Sequence, residues 1–456
     1  MTTIPLGYAE GDSSNEELAR IRLRNMYLTD NRYSPDKLAR VSRPTLDEFI
    51  DFGISPIYGV WYQEGSLGSY WYVVAGETLY KVGHDNIPIS IGSIPGSDVC
   101  LFAGTTTKVV IVRDGKVFST DGSTVYSVTM PDDRLVGSVA TIDNNFILTQ
   151  KDYYRFYWMT PTETDPDPLS YASAERSPDS IVGVTVLSDE VWFIGTDNVE
   201  VWQTTGDLNL PYQRIAGRVY SFGCIDPATI SNSNLEGYPC AIWVTQKGSV
   251  VIGQGSTKVI STKAVELALQ GGTNHRAWSF RWNRTEFYVL TTDQKTLVYN
   301  LEKDSWSIWD SYSYSNFRAH VGFQVNQDVY AGDAYTGKLW KLVDGYSDAG
   351  QPVVREVSGF LIEQSSKANC FSVNVRINAG WVPGYTYTPV LEMRFSDDYG
   401  FSWSPYYQQV MGKKGAYDYD VTYRSLGSYQ RPGREFEFRF SDIAKFRLDY
   451  ATINEV

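Results

Sequence analysis

The chain has 456 residues, of which 42% are hydrophobic and 14% aromatic, so it can bury a substantial core and general disorder is excluded. Its 53 acidic and 40 basic side chains give a net charge of −13, which argues against a basic coat that wraps nucleic acid. The many aromatic residues favour β-structure, since they suit a pleated, half-buried surface. No segment approaches the roughly 18 apolar residues of a membrane-spanning helix. We expect no secretory signal, because residues 1–17 lack its basic and apolar regions.

The residues that commonly bind metals are sparse and scattered. No Cys-x-x-Cys pair occurs among the four cysteines, which are Cys100, Cys224, Cys240 and Cys370. We therefore expect free, buried thiols in a protein made in a reducing cytoplasm. The three histidines are also far apart in sequence, at His84, His275 and His320. On this basis we predict no metal site, and no motif calls for a cofactor.

Residues 1–55 are predicted to form an N-terminal arm that contains strands. Residues 19–24 alternate with a period of two, which places Arg20, Arg22 and Arg24 on one face of a strand. Such a row of arginines can contact phosphates. The favoured interpretation is an exposed or ion-paired strand face.

Seven short hairpin patterns follow, each an apolar strand, a polar turn and a second strand. They occupy residues 71–82, 109–118, 145–158, 191–202, 241–252, 287–301 and 328–342. The spacing between equivalent positions is 36 to 50 residues, which is typical of four-stranded propeller blades. A plain sandwich would place strands every 8 to 12 residues without a longer period. We predict an all-β protein with a six- or seven-bladed β-propeller over residues 56–350.

Two further elements complete the predicted architecture. Residues 262–270 carry apolar side chains at helical spacing and are followed by two glycines, which indicates one short helix. Residues 351–456 lack the hairpin pattern and predict a C-terminal antiparallel β-sandwich. Its longer alternating strands are predicted at 371–377, 390–395, 417–423, 435–440 and 446–453.

Two motifs have stronger structural than functional interpretations. Residues 332–339 match seven positions of a phosphate-binding loop, but Leu339 replaces the required Ser or Thr and the context is a hairpin. A turn is therefore favoured. The acidic loop at 162–168 contains Pro166 and Pro168, which restrict the turn that calcium ligands would need. A solvated loop between blades is the favoured interpretation there.

Residues 396–403 read Ser-Asp-Asp-Tyr-Gly-Phe-Ser-Trp and match the Asp-box of sialidases and related propellers. In this motif we expect Asp398 to accept hydrogen bonds from turn amides, Gly400 to adopt an unusual φ and Trp403 to pack beneath the turn that begins at Ser396. The motif is structural, and we assign no catalytic residues. A single copy outside the repeats is weak evidence for a glycosidase.

The region 170–230 is more specific than these motifs. It contains an Ala-Glu-x-x-Pro-Asp segment from Ala174, a hairpin at 191–202, Thr205-Gly206, and Gly223-Cys224 with Pro227 soon after. This order resembles the packaged-DNA stabilisation proteins, the tail hub or nozzle subunits, of short-tailed bacteriophages. The Asn-Met-Tyr at 25–27 and the closing segments at 394–400, 411–412 and 424–427 are also similar. One departure is Arg-Pro-Thr-Leu at 43–46, where the family would have Pro-Gly-Leu, which leaves the shape of that turn open.

The resemblance implies a non-enzymatic component of the virion tail, assembled in the cytoplasm of the bacterial host. Such subunits form a homo-hexameric ring beneath a dodecameric head-to-tail adaptor and extend the DNA channel. They help to retain packaged DNA, which passes without sequence readout, and contact a tail needle or plug and tailspikes or fibres. The alternative is a carbohydrate-active, sialidase-like propeller or lectin, which would need clustered arginines and an activated tyrosine.

The negative charge is concentrated in the predicted propeller and its connection to the sandwich. Residues 51–380 carry 35 acidic and 24 basic side chains, and so account for −11 of the total −13. A channel through which DNA slides should avoid strong phosphate contacts, because each one adds salt-sensitive affinity. We therefore predict a lumen that is neutral to acidic.

Overall fold

A computed structural model describes residues 2–7, 21–64, 67–174, 179–207, 210–362, 367–378, 388–412, 415, 417–431 and 433–455. Strands dominate this part of the chain, and its single α-helix is α1 (Lys263–Leu269). Two 3-10 helices span Pro131–Asp133 and Pro227–Thr229. The short helix predicted at 262–270 is thereby confirmed. No described helix has the length and apolar character needed to cross a membrane.

The N-terminal segment is divided between two parts of the fold. It contains β1 (Thr2–Ile4), β2 (Leu23–Arg24), β3 (Met26–Asp30), β4 (Leu38–Ser42) and β5 (Thr45–Asp51). The first four strands join sheets formed by the C-terminal region, whereas β5 joins the propeller.

Seven four-stranded units, blades 1 to 7, follow. Blade 1 contains β6 (Ile57–Gln63), β7 (Tyr70–Ala75), β8 (Thr78–Val82) and β9 (Pro88–Ser93). Blade 2 contains β10 (Leu101–Gly104), β11 (Val109–Arg113), β12 (Lys116–Thr120) and β13 (Val125–Val128). Blade 3 contains β14 (Val136–Ile142), β15 (Asn145–Gln150), β16 (Arg155–Met159) and β17 (Tyr171–Ser173). Blade 4 contains β18 (Ile181–Leu187), β19 (Glu190–Gly195), β20 (Val199–Thr204) and β21 (Tyr212–Tyr220).

The remaining blades close the ring. Blade 5 contains β22 (Ser231–Leu235), β23 (Tyr238–Val244), β24 (Val250–Gly253) and β25 (Thr257–Val259). Blade 6 contains β26 (Arg276–Trp282), β27 (Thr285–Thr291), β28 (Thr296–Asn300) and β29 (Ser305–Trp309). Blade 7 contains β30 (Ala319–Val325), β31 (Asp328–Asp333) and β32 (Lys338–Val343), and its fourth strand is β5 from the N-terminal segment.

The β-propeller prediction is confirmed. Six blades are separate four-stranded sheets, and blade 6 is the first part of a nine-stranded sheet. Each predicted hairpin forms the second and third strands of one blade, because these buried strands carry the strongest apolar pattern. Neighbouring blades pack through apolar clusters, as where Phe156 of blade 3 stacks on Phe193 of blade 4 with ring centroids 4.2 Å apart. Stacking buries faces that one blade could not cover alone.

The C-terminal strands form two sheets around one apolar core. They are β33 (Arg355–Ile362), β34 (Ala368–Asn378), β35 (Val390–Ser396), β36 (Tyr407–Val410), β37 (Tyr419–Arg424), β38 (Ser428–Tyr429), β39 (Gly433–Phe440) and β40 (Arg447–Glu455). One sheet has the order β3-β4-β40-β34-β37, with β1 paired to β40 and β38 to β34. The other has the order β2-β33-β39-β35-β36, and β2 connects it to β29 of blade 6.

The core of this sandwich combines both ends of the chain. Ile4 and Met26 are buried in the same cluster as Val375, Phe438 and Ile453. The five strands predicted after residue 351 are all present, while β33, β36 and β38 lie outside the predicted ranges. The sandwich is thus completed by strands from the N-terminal segment and lies at the outer edge of blade 6.

Candidate functional site

A cavity of about 680 Å³ lies on the propeller axis, where the innermost strands of the seven blades meet. The strands that line it are β6, β10, β14, β18, β22, β26 and β30. Small and apolar side chains such as Val60, Ala140, Val184 and Ala277 make up much of its wall. Arg276 is the one charged side chain among the described residues that line it.

Glycines allow the blades to converge at this axis. A Cβ atom added to Gly322 on β30 would lie 2.4 Å from the Trp278 ring of the neighbouring blade. A Cβ added to Gly59 on β6 would lie 2.4 Å from the Phe102 ring. Both distances are far below van der Waals contact, so the close approach of these inner strands requires glycine.

The axial cavity is too small to conduct double-stranded DNA. A B-form duplex is roughly 20 Å across and so fills about 300 Å³ for each ångström of its length. One helical turn of roughly 34 Å would therefore fill about 10,000 Å³, far more than the cavity of about 680 Å³ provides. Any channel for duplex DNA therefore lies outside the axis of a single propeller.

An acidic recess of about 300 Å³ adjoins the axial cavity. Asp98, Asp114, Asp152 and Asp226 line it together with Lys151. Burial raises the pKa of Asp226, and the charge of Asp98 adds to that rise. The Asp226 carboxylate also accepts a hydrogen bond of 2.8 Å from the backbone N–H of Ala228 and so caps the 3-10 helix Pro227–Thr229. Across the part of the chain that the structure describes, no three Cys, His, Asp or Glu side chains are grouped to hold a metal ion.

The arginines of the N-terminal strand form ion pairs within the protein. Arg22 donates a buried hydrogen bond of 2.5 Å to Glu435 in the sandwich. Arg24 bonds Asp310 beyond blade 6 at 2.6 Å and Glu356 of β33 at 3.1 Å. These contacts confirm the ion-paired interpretation for both residues, whereas Arg20 lies outside the described residues.

A buried polar network joins the N-terminal segment to blade 6 and to the connection that leads into the sandwich. The Arg43 guanidinium donates to Asn25 Oδ1 at 2.8 Å, to the Asp310 carbonyl at 2.8 Å and to Asp348 Oδ2 at 2.6 Å. Asn25 in turn donates to Asp310 Oδ1 at 2.6 Å and to the Val354 carbonyl at 2.8 Å. We call Asn25, Arg43, Asp310 and Asp348 the junction network.

Two sequence signals point to parts of the junction network. Asn25 has a φ of +53°, a conformation that asparagine tolerates better than most residues. It also opens the Asn-Met-Tyr segment. Arg43 begins the Arg-Pro-Thr-Leu segment that departs from the family pattern, and its guanidinium stacks over the Phe317 ring at 4.5 Å. The turn at 43–46 thus connects β4 of the sandwich to β5 of the propeller through a buried arginine.

The residues of the Asp-box-like motif form one turn after β35. Asp398 accepts a hydrogen bond of 2.8 Å from the Ser402 amide, and Ser396 Oγ accepts one of 2.7 Å from the Gly400 amide. Gly400 has a φ of +81°, and the Trp403 indole donates to the Gly400 carbonyl at 3.1 Å. The hydroxyl and amide of Ser402 lower the pKa of Asp398 to about 2. This chemistry stabilises a turn.

The two other motifs also occupy turns. Residues 332–339 connect β31 to β32, where Asp333 accepts a bond of 2.8 Å from the Tyr335 amide, so the turn interpretation is confirmed. The acidic loop at 162–168 connects β16 to β17 inside blade 3, so its placement between blades is wrong. The hairpin pattern identifies only the second and third strands of a blade. It therefore does not predict the short fourth strand of blade 3, β17. Glu163 and Asp165 of this loop accept bonds from different backbone amides, those of Thr160 and Thr129.

All four cysteines are buried and free, as predicted. Burial raises the pKa of Cys100, Cys224 and Cys240 to about 12. These thiols stay protonated at neutral pH, which makes them poor nucleophiles.

A family model described as "Bacteriophage P22 Gp10, beta-propeller" matches residues 2–346. The chain belongs to this family. The match includes the N-terminal strands and all seven blades, and it ends within the connection between β32 and β33. Membership in the P22 Gp10 family makes the chain a structural phage protein and a component of the virion.

Three solved structures align with about two thirds of this chain. The computationally designed Ika8 protein covers 66% of this chain and aligns over 100% of its own length, at 9% identity and a TM-score of 0.40. The Cps50 (Swd1) β-propeller domain of Myceliophteria thermophila covers 65% of this chain and 99% of its own, at 9% identity and a TM-score of 0.43. KlHsv2 with loop 6CD replaced by a Gly-Ser linker covers 62% and 97%, at 10% identity and a TM-score of 0.35. The search of curated proteins gave no match.

Proposed function

We propose that the protein is a tail hub, or nozzle, subunit of a short-tailed phage. In this proposal six copies form a ring below the dodecameric head-to-tail adaptor and extend the channel through which DNA leaves the head. The ring helps to retain packaged DNA without reading its sequence. Membership in the P22 Gp10 family supports this role.

The small volume of the axial cavity is the main observation that supports a ring of several copies. A cavity of about 680 Å³ holds too little duplex for one propeller to act as a DNA conduit. A protein of this shape that helps to conduct DNA must therefore surround it with several copies. Closed rings arise when two different surfaces of one chain contact each other from copy to copy, and the propeller rim and the sandwich supply two such surfaces.

The charge distribution favours a lumen that does not hold DNA by adhesion. Residues 51–380 carry a net charge of −11, and Arg22 and Arg24 are engaged in ion pairs. A weakly interacting lumen lets DNA slide, so retention in this proposal comes from a plug or constriction. The needle or plug and the tailspikes or fibres attach to the outer surfaces of the ring.

The sandwich has exposed aromatic residues suited to such attachment. Phe371, Phe401 and Tyr417 are each at least half exposed, and aromatic side chains are common anchors at protein interfaces. We therefore assign the attachment of a needle, spikes or fibres to this part of the chain.

The mass of the assembled protein and its image in the tail test this role. We expect native mass spectrometry of the purified chain mixed with its adaptor to give a sixfold ring, and imaging of the particle to place that ring below the adaptor. A chain that remains monomeric with the adaptor and cleaves a glycoside reporter would instead identify the carbohydrate-active alternative. That alternative gains no support from the axial cavity, since the described part of its lining has one arginine and no carboxylate.

The assembled ring also allows a test of the lumen. We expect duplex DNA to bind the ring weakly and with little dependence on salt concentration, because few phosphates are contacted. Measurements at about 50 and 200 mM salt separate this outcome from adhesion. Tight binding that weakens steeply with salt contradicts the sliding channel while leaving the ring itself intact.

A further inference from the structure

Arg276 is a partly buried cation without a partner on the wall of the axial cavity. It begins β26, the innermost strand of blade 6, and lines the cavity there. Its Nε atom is buried and makes no hydrogen bond. Within the described part of the chain, no side-chain hydrogen bond or ion pair involves any of its nitrogens.

Other buried arginines of this protein each donate at least one side-chain hydrogen bond, although Arg113 Nη2 and Arg355 Nε also lack a partner. Arg43 is paired with Asp348, and Arg22 with Glu435. Arg113 donates to the carbonyls of Asp98, Gly76 and Ile94. A buried polar group without a partner is uncommon in native proteins and needs an explanation, such as strain or a bound water or ion.

The charges around Arg276 limit what can bind there. Burial lowers the pKa of Arg276, and the negative charge of Asp98 partly opposes this effect. His320, on the adjacent inner strand, is neutral because burial lowers its pKa to about 3, and the charge of Arg276 contributes. Tyr335 also lies within electrostatic range and stacks on Tyr314 with ring centroids 4.1 Å apart. The site therefore offers one positive charge, with a carboxylate nearby that opposes a second negative charge.

We propose that the axial cavity binds a singly charged organic carboxylate, with the carboxylate on Arg276 and an apolar body against the cavity wall. The planar guanidinium of arginine suits a carboxylate, which it can bind through two parallel hydrogen bonds. Val60, Val184 and Ala277 supply apolar surface. The volume of about 680 Å³ lies within the range of about 300–1,000 Å³ that small-molecule sites have.

The carboxylate can belong to a free small molecule or to the C-terminal residue of a protein segment. Both present the same charged group on an apolar body, and both would enter through the same opening. They differ in the backbone that accompanies the carboxylate, so a peptide probe distinguishes them.

Benzoate titrated into the purified full-length protein tests the site, with binding followed by ligand-observed NMR. We expect saturable binding to the wild type, and binding about tenfold weaker or more for Arg276→Gln. Arg276→Lys should recover part of the affinity, and benzamide should not bind. The matched control is Arg281→Gln on the same strand, because the Arg281 side chain is 60% exposed and pairs with Glu286; it should bind benzoate as the wild type does.

Thermal unfolding gives a second measurement that separates ligand binding from folding. Without ligand, Arg276→Gln should be at least as stable as the wild type, because the substitution removes an unpaired, partly buried charge. Benzoate should raise the melting temperature of the wild type more than that of Arg276→Gln at the same concentration. Equal binding to wild type and Arg276→Gln, no binding to either, or tighter binding of inorganic phosphate than of benzoate overturns the proposal. Tighter binding of an acetylated tripeptide ending in leucine carboxylate supports a protein segment as the source, and tighter binding of benzoate supports a free molecule.

Discussion

The propeller and the sandwich both have apolar cores, but they differ in where charged side chains are buried. Six arginines are buried among the described residues, and only Arg113 belongs to a blade. The other five belong to the N-terminal segment or the sandwich, at Arg22, Arg40, Arg43, Arg355 and Arg434. In the propeller, strands pair mainly with their sequence neighbours, and apolar clusters connect the blades.

The contacts of the sandwich join distant parts of the chain. Thr2 on β1 pairs with Ile453 on β40, and Arg22 bonds Glu435 across 413 positions of sequence. Apolar contacts are non-directional and tolerate a repeated, degenerate pattern. Buried charges need particular partners at particular distances. The repeated part of the molecule is thus held by surface complementarity, and the single junction by specific polar pairs.

The largest expected effect of a single substitution is in the junction network. Asp348→Ala leaves Arg43 buried without its carboxylate and removes the acceptor, Asp348 Oδ1, of the Leu46 amide hydrogen bond. We expect the free energy of unfolding to fall by about 5 kcal/mol. Chemical denaturation followed by tryptophan fluorescence measures this loss.

Asp344→Ala is the matched control in the same connecting segment. Asp344 is 69% exposed and pairs with Lys445 at the surface, so we expect a loss below about 1 kcal/mol. Equal losses for the two variants would show that the junction does not depend on its buried charges.

Trp192→Ala should have the next largest effect and tests the apolar packing of the propeller. Trp192 is fully buried between blades 4 and 5, where it stacks on Tyr220 with ring centroids 5.5 Å apart and belongs to a cluster with Trp243. We expect a loss of about 4 kcal/mol from the cavity that remains. Tyr238→Ala in blade 5 is the control, since that ring is 67% exposed and its loss should be about 0.5 kcal/mol or less. A small effect at Trp192 would contradict an apolar origin of blade packing.

The pH dependence of stability tests a buried polar group of the propeller. His320 donates from Nε2 to the Ile57 carbonyl at 2.6 Å and stays neutral, because burial lowers its pKa to about 3. In the unfolded chain His320 takes up a proton below about pH 6.5. Its contribution to the free energy of unfolding is therefore fully present above that pH and decreases as the pH falls toward 3. Between pH 7 and pH 5 the free energy of unfolding of the wild type should fall by about 2 kcal/mol more than that of His320→Gln. Denaturation at both pH values measures it, and His84→Gln, at an exposed position, should follow the wild type.

The smallest expected effect concerns an exposed ion-pair group of the sandwich. Arg376 on β34 bridges Asp418 and Asp420, and both carboxylates are more than half exposed. Arg376→Ala should lower the free energy of unfolding by less than about 1 kcal/mol, and the difference should shrink in high salt. A larger loss that does not depend on salt would show that specific charge pairs also stabilise the surface of the sandwich.

The sequence predicts those parts of the fold in which neighbouring residues show a clear pattern of apolar side chains. Residues 191–202 carry two apolar strands and a turn within twelve positions, and the pattern appears again in every blade. The strands at 371–377 and 446–453 alternate clearly for the same reason. The pairing of β1 with β40 leaves no local signal, because partner choice depends on the folded arrangement of both sheets.

The polar sites show the same limit. The period of two at 19–24 predicts that Arg22 and Arg24 share a face that is exposed or ion-paired. It does not predict their partners Glu435, Asp310 and Glu356, which are hundreds of residues away. Arg276 is one of many arginines in the sequence. Only the meeting of seven inner strands places it on the wall of a cavity without a partner.

The strand that closes the propeller, β5, is synthesised long before its partner strand, β32. β5 (Thr45–Asp51) leaves the ribosome about 290 residues before β32 (Lys338–Val343) is complete, which takes about 15 to 60 s at typical bacterial rates. An unpaired strand edge invites pairing with other chains during that delay. Asp47, Glu48 and Asp51 give β5 three negative charges, so copies on neighbouring ribosomes repel one another until blade 7 is made.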